Sequence, residues 1–319
     1  MNLQADNRPF IDVAAGIVIG ADGRILLAQR PPGKPYAGWW EFPGGKVEAG
    51  ESMAQAIARE LAEELGIRVL ESTPWVVREH AYEHARVRLH FRRVHRWEGG
   101  PESREGQAFR WCDPASADVQ PLLPATIPLL RLLTLPSLYG ISAAGELGEA
   151  RFLRSLDQAL DHGLGLLQLR EPAMSGSAFD ALFDQVLARC RAHGARLLVN
   201  SQHPSSYWAR ADGVHWRSTE LAARDQAHAW VGASCHDLGQ LAAASAAGAD
   251  FAVLGPVLPT RSHPGAATLG WAGLGALVER TPLPVYALGG LAPGDLSAAC
   301  AVGAHGVAMI SGLFGLPDE

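Results

Sequence analysis

Residues 44–67 read GGKVEAGESMAQAIARELAEELGI, a glycine turn followed by one acidic helix. Gly44-Gly45 can take backbone angles closed to other residues, so the chain can turn sharply and approach a ligand closely. Ser52 followed three residues later by Gln55 is a capping-box pair, which places a helix start there. Gly66 stands where a left-handed cap would end the helix. Between them the residues are strong helix formers without proline. At about 100° per residue, Ala54, Ile57, Ala58, Leu61 and Leu65 share one apolar stripe.

Glu60, Glu63 and Glu64 fall at i, i+3 and i+4 and so share a neighbouring face. Three carboxylates on one turn repel one another, and a hard divalent cation between them reverses the sign. Oxygen-only ligation suits Mg²⁺ or Mn²⁺ rather than Zn²⁺. A solvated acidic face is the simpler meaning of three glutamates so spaced. The rest of the stretch decides between the two.

Taken whole, it resembles the Nudix hydrolase signature, G-x5-E-x7-R-E-U-x-E-E-x-G-U with U aliphatic. Gly45, Glu51, Arg59-Glu60-Leu61, Glu63-Glu64 and Gly66-Ile67 match every fixed position. The resemblance implies an α/β/α sandwich with a mixed sheet and hydrolysis of a nucleoside diphosphate linked to another group, with Mg²⁺ or Mn²⁺ as cofactor. The chain around it reads as strand 11–19, a turn at Asp22-Gly23, a returning strand 25–28, and a Pro/Gly loop, PPGKPYAGWW. Beyond the helix come strands at 74–80 and 86–94, a polar loop 97–106, a short strand 109–111 and a closing helix in 124–134.

This order, with WEFPGGKVE at 40–48 and WEGGPESREGQ at 97–107, resembles the MutT branch, which hydrolyses oxidised purine nucleoside triphosphates such as 8-oxo-dGTP and so protects DNA replication. By that resemblance the Gly44 carbonyl, Glu60, Glu63 and Glu64 hold metal, and Glu105 is an outer ligand or the general base. Glu60 is the other choice of base, and Arg59 orients the glutamates. Arg30, Phe42, Tyr82 and Arg86 line the base pocket. Where the branch has an asparagine reading the purine edge, this chain has Thr126, whose single hydroxyl cannot make an amide's paired contact.

At 319 residues the chain exceeds a usual single domain. From Leu138 the pattern changes to eight short apolar runs, at 138–142, 165–170, 195–200, 213–216, 230–234, 251–256, 284–290 and 306–310, separated by helical stretches. That alternation predicts a (β/α)8 barrel. The expected domains are 1–134 and 138–319. The second half resembles thiamine-phosphate synthase through QLRE (168–171), ADGVH (211–215), GPVLPT (255–260) and ALGG (287–290). It departs from that family at Pro172, Ser201, Glu220 and His263, where the resemblance places Lys, Asp, Asp and Lys for metal and diphosphate. Arg170, Asn200, Thr260, Ser262, Gly289 and Gly290 survive as a phosphate-site set. The barrel is therefore expected to bind a phosphorylated thiamine-related ligand or regulate the hydrolase. A bifunctional thiamine enzyme, a nucleotide sensor and a purely structural barrel are the alternatives.

A net charge of −6 argues against binding a nucleic-acid polymer, which needs a basic surface. A free nucleotide stays open, since a metal can supply positive charge. Four scattered cysteines without a CxxC pair, a polar N-terminus and no long apolar run suggest a cytoplasmic chain with no membrane partner.

Overall fold

The structure is a computed structural model describing residues 8–83, 85–221, 229–260 and 265–315. The expectations for Ser262 and His263 fall outside the described residues. The chain divides into two units, Met1–Thr134 and Leu135–Glu319.

In the first unit, β1 (Phe10–Val18), β2 (Ile25–Gln29), β3 (Trp40–Glu41) and β4 (Gly44–Lys46) precede α1 (Met53–Leu65). Then come β5 (Arg68–Ala81), β6 (Arg86–Glu98), β7 (Phe109–Cys112) and α2 (Ile127–Leu133). One mixed sheet runs β4-β1-β6-β5, with β1 and β6 parallel and the other pairs antiparallel. A second, antiparallel sheet runs β3-β2-β7. The turn at Asp22-Gly23 forms, Gly23 at φ +80, but β2 does not return along β1 as expected. A single bridge, Ile19 to Ile25, joins them before the strands part into different sheets. A hairpin signal specifies the turn; longer-range partners took the edges of both strands.

The capping reading of α1 holds in detail. Ser52 accepts from the Gln55 backbone, Gln55 reciprocates, and Gly66 is left-handed at φ 67. The buried face, however, is Ala56, Ile57, Leu61, Glu64 and Leu65. Ala54 is exposed and Ala58 half-buried, so the stripe lies rotated toward the glutamates. Ile57, Leu61 and Leu65 pack with Ala14, Val18, Leu26 and Val94. Each such side chain stabilises the fold by about 1.5–3 kcal/mol. That packing seats the acidic turn of α1 against the sheet edge at β4.

The second unit contains β8 (Leu138–Ile141), α3 (Ala144–Leu147), α4 (Glu149–Asp161), β9 (Leu166–Leu169), α5 (Gly176–Ala192), β10 (Arg196–Asn200), α6 (Ser205–Trp208) and β11 (Gly213–Trp216). It continues with β12 (Trp230–Cys235), α7 (Leu238–Ala246), β13 (Phe251–Leu254), α8 (Gly270–Val278), β14 (Val285–Leu288), α9 (Leu296–Ala301), β15 (Gly306–Met309) and α10 (Ser311–Phe314). The eight strands are the eight apolar runs read from the sequence, and they close into one parallel barrel. Tyr139, Phe251 and Tyr286 meet in its interior at centroid separations of 5.2–5.5 Å. All four cysteines are free, and among the described residues no helix is long and apolar enough to cross a membrane.

Candidate active site

Arg59 is the hub of the acidic turn. Its Nε and Nη2 donate to the two oxygens of Glu51, each at 3.0 Å. Nη1 donates to Glu60 (2.9 Å) and Glu63 (3.2 Å), and Nη2 also reaches the Lys46 carbonyl at 3.0 Å. One planar guanidinium thus ties the helix to the turn before it and to β4. The carboxylates raise the Arg59 pKa further, and the bond from Arg59 holds Glu51 below the usual carboxylate range. Glu51 had no assigned role in the sequence beyond its place in the signature; here it is the anchor of Arg59. The glycine turn is fitted to the same group: a Cβ on Gly45 would lie 2.1 Å from Glu60 Oε1. The Glu60 carboxylate therefore rests directly on the Gly45 backbone, beside Gly44, which takes φ +148.

The polar loop after β6 is fastened to the end of α1. Glu102 donates its backbone N–H to the Leu65 carbonyl (2.8 Å) and Arg104 to the Glu64 carbonyl (3.1 Å). Arg104 Nη1 reaches the Ala62 carbonyl at 3.0 Å. Gln107, buried, donates Nε2 to the Glu64 carbonyl (2.9 Å) and accepts from the Glu105 N–H (3.0 Å). These bonds bring Glu105 beside Glu64, although the two stand 41 positions apart in the sequence, 64 to 105. Gln107 is a site residue that sequence reasoning missed, although it closes the quoted WEGGPESREGQ stretch.

Glu64 is 9 % exposed. Its carboxyl is pushed up to about 7, chiefly by burial, with Glu60, Glu105 and Glu41 adding negative charge against the pull of Lys34. The Lys34 ammonium, from the Pro/Gly loop, stands 3.9 Å from Glu64 Oε1 and 3.4 Å from Glu105 Oε2. Glu63 behaves differently: its side chain is 57 % exposed and turned to Arg59.

Among the described residues no three His, Cys, Asp or Glu side chains converge on one point as they stand. The donor set nonetheless fits a hard divalent cation. Every candidate donor, the Gly44 carbonyl, Glu60, Glu63, Glu64 and Glu105, is oxygen. The pocket has also drawn a cation in, the Lys34 ammonium between two carboxylates.

Of the proposed base-pocket residues, Arg30 and Tyr82 share one neighbourhood, since Glu41 and Arg30 both act on the Tyr82 hydroxyl. Tyr82 joins an aromatic group with Tyr36 (5.4 Å) and His80 (4.3 Å), and Tyr36 lies edge-on to Trp39. Burial first, then Glu41, pushes the Tyr82 hydroxyl up to about 12. Tyr36 takes φ 60, a left-handed conformation otherwise left to glycine among the described residues. Arg30 is committed to Glu41 (2.6 Å) and to the Pro35 carbonyl (2.7 Å), so it braces the loop. Burial raises the Glu41 carboxyl, and Arg30 pulls it back. Phe42 is buried against Phe91, and Arg86 lies over the Phe10 ring at 3.9 Å. Thr126 is buried at the start of α2, where its hydroxyl makes no capping bond.

In the barrel, Asn200 donates to Gln168 (2.9 Å), Gln168 to the Tyr139 hydroxyl (3.1 Å), and Tyr139 meets His215 (3.1 Å), which reaches Ser234 (3.0 Å). This buried polar chain is self-satisfied. Burial lowers His215 to about 3, so the ring is neutral. Glu220 is locked by Arg217 and by the Ser201 hydroxyl at 2.7 Å, and the Arg217 bond lowers its pKa. Gly289 and Gly290, at φ 108 and 65, pack under residues 256–259; a Cβ on Gly290 would lie 2.3 Å from the Pro259 carbonyl oxygen. Half-buried Thr260 follows that segment. Arg170 donates its backbone N–H to Ser142 at 2.9 Å.

Comparison with known proteins divides at the same place. The NUDIX domain model matches residues 9–133, and the thiamine monophosphate synthase model matches residues 138–313. A CTP pyrophosphohydrolase of Escherichia coli (strain K12) is 48% identical over 127 residues, 38% of this chain and 89% of that protein. An 8-oxo-dGTP diphosphatase of Haemophilus influenzae is 39% identical over 127 residues, covering 40% of this chain and 93% of the relative. A thiamine-phosphate synthase of Chromobacterium violaceum is 36% identical over 189 residues, covering 57% of this chain and 83% of the relative.

Proposed function

Since the chain belongs to the Nudix family through its first unit and to the thiamine monophosphate synthase family through its second, we propose that it is a nucleoside triphosphate pyrophosphohydrolase of MutT type, acting on an oxidised purine such as 8-oxo-dGTP, with a ligand-binding or regulatory barrel. Diphosphate hydrolysis is the family activity; the base and the barrel's role are the proposal. The observation that carries it is the acidic turn of α1 assembled with Glu105, its glutamates pre-oriented by Arg59.

A bound Mg²⁺ or Mn²⁺ would neutralise phosphate charge and lower the pKa of a water. The residues that would hold it are Glu60 and Glu64 with the Gly44 carbonyl. Arg59 keeps Glu60 facing Gly45 and draws Glu63 toward solvent. A carboxylate already held by a guanidinium is a poor proton acceptor, because taking the proton breaks that pair. This favours Glu105 over Glu60 for accepting the proton of the attacking water. Attack on phosphorus releases pyrophosphate and a nucleoside monophosphate. Tyr36 and Tyr82 offer faces on which a base can stack.

A pyrimidine triphosphate is the second reading. Thr126, in place of an amide, and the likeness to a CTP pyrophosphohydrolase favour it. Pyrophosphate release measured across 8-oxo-dGTP, dGTP and CTP decides. A hundredfold higher kcat/KM for 8-oxo-dGTP over dGTP, about 2.7 kcal/mol, supports the first reading; a preference for CTP refutes it. For the barrel, the locking of Glu220 by Arg217 and the proline at 172 argue against synthase chemistry and for binding alone. Calorimetry with thiamine phosphates showing no heat at millimolar ligand would count against binding.

A further inference from the structure

The chain has 27 basic residues, and only Lys34 and Lys46 among them are lysines. Everywhere else the guanidinium serves. A lysine ammonium differs in being a compact, rotatable point charge, closer to a small cation than a planar guanidinium is. Lys34 sits where that difference matters, 3.4 Å from Glu105 and 3.9 Å from Glu64.

Its loop holds it there. Arg30 accepts from the Gly38 N–H (2.9 Å) and donates Nε to the Pro35 carbonyl (2.7 Å). The Lys34 N–H reaches the Pro31 carbonyl at 3.4 Å. The backbone around Lys34 is therefore a closed turn, while its side chain is about half exposed. The ammonium can swing, but only within the length of its own four-carbon stem.

We propose that Lys34 is a positioning residue for the substrate's phosphate chain, which in the free protein stands against Glu64 and Glu105, where a divalent cation would compete with it, and which turns to the phosphates once that cation is bound. The inference rests on the hydrolase reading above. A divalent cation held by Glu64 would repel the ammonium and take that carboxylate from it. With Glu41 already taken by Arg30, a phosphate chain entering the site would offer the ammonium its new partner. The exchange also uncovers Glu105, the carboxylate assigned to accept the water's proton. Substrate and metal thereby become linked: phosphate gives the displaced ammonium a partner, so each favours the other's binding.

The test uses full-length protein. Free Mn²⁺ is followed by electron paramagnetic resonance, without nucleotide, for wild type, Lys34→Gln and Lys34→Arg. Lys34→Gln removes the competing cation and should bind Mn²⁺ at least threefold more tightly. Its KM for the best nucleoside triphosphate should rise about tenfold, a larger change than in kcat. Lys34→Arg should recover most of the KM. The exposed side chain and the backbone hydrogen bonds of its turn make the variants foldable, and circular dichroism checks this. Mn²⁺ affinity equal to or weaker than wild type, or an unchanged KM, overturns the proposal while leaving the hydrolase intact. Wild type that takes up no Mn²⁺ and turns over no nucleotide overturns both.

Discussion

Glu64→Gln is expected to stabilise the first unit and abolish its activity. The Glu64 carboxyl goes from 4.5 to about 7 on folding, mainly because burial disfavours its charge. Between those values the folded protein holds a proton that the unfolded chain has lost. Stability therefore falls as pH rises from about 4.5 to about 7, and the loss is complete above 7. At about 1.4 kcal/mol per pH unit the penalty is about 3 kcal/mol. Glutamine keeps the shape and has no charge to desolvate. The pull of half-exposed Lys34 is already contained in that shifted value. The net expectation is that Glu64→Gln is stabler by about 3 kcal/mol at pH 8 with EDTA, and nearly equal to wild type at pH 5. Hydrogen exchange of peptides from α1 and β5 across a urea series reads this unit separately from the barrel, and the difference between variant and wild type cancels other titrating groups. Millimolar Mg²⁺ should stabilise wild type more than the variant, since charged Glu64 then has a partner. A variant less stable than wild type at pH 8, or a difference that does not shrink toward pH 5, would refute the assignment of Glu64 as a desolvated acid awaiting a cation.

Arg59→Lys should lower kcat about a hundredfold, because one ammonium cannot hold Glu51 through two bonds and also Glu60 and Glu63; steady-state kinetics measures it, and a KM change alone would contradict the orienting role. Gln107→Leu should detach Glu105 from α1, lowering kcat about tenfold or more. Its stability cost should be about 1 kcal/mol by urea denaturation, the worth of its hydrogen bonds; unchanged kcat would show that Glu105 is placed by other means.

What could be read in advance was local. Ser52, Gln55 and Gly66 specify α1 through bonds spanning a few residues, so its caps follow from spacing alone. The eight barrel strands announce themselves as short apolar runs, because a parallel barrel buries both faces of every strand. The Arg59 and glutamate positions follow from the signature. Harder to read were features depending on partners far along the chain. The Asp22-Gly23 turn gave the bend but not the sheet each strand would join. The buried face of α1 rotated toward Glu64 because residues 102–107 cover that side. Glu220 carries the right charge for a metal position, yet Arg217 and Ser201 consume it.

By itself, then, the sequence determined the elements, the two families and the identity of the acidic groups, since these rest on periodicity, capping and fixed spacing. Only the tertiary structure decided which charges face one another. The pairing of Lys34 with Glu64 and Glu105, Tyr36 beside Tyr82, and Gln107 against the Glu64 carbonyl join segments dozens of residues apart. Electrostatic strength depends on distance and desolvation, and both exist only once the chain has folded.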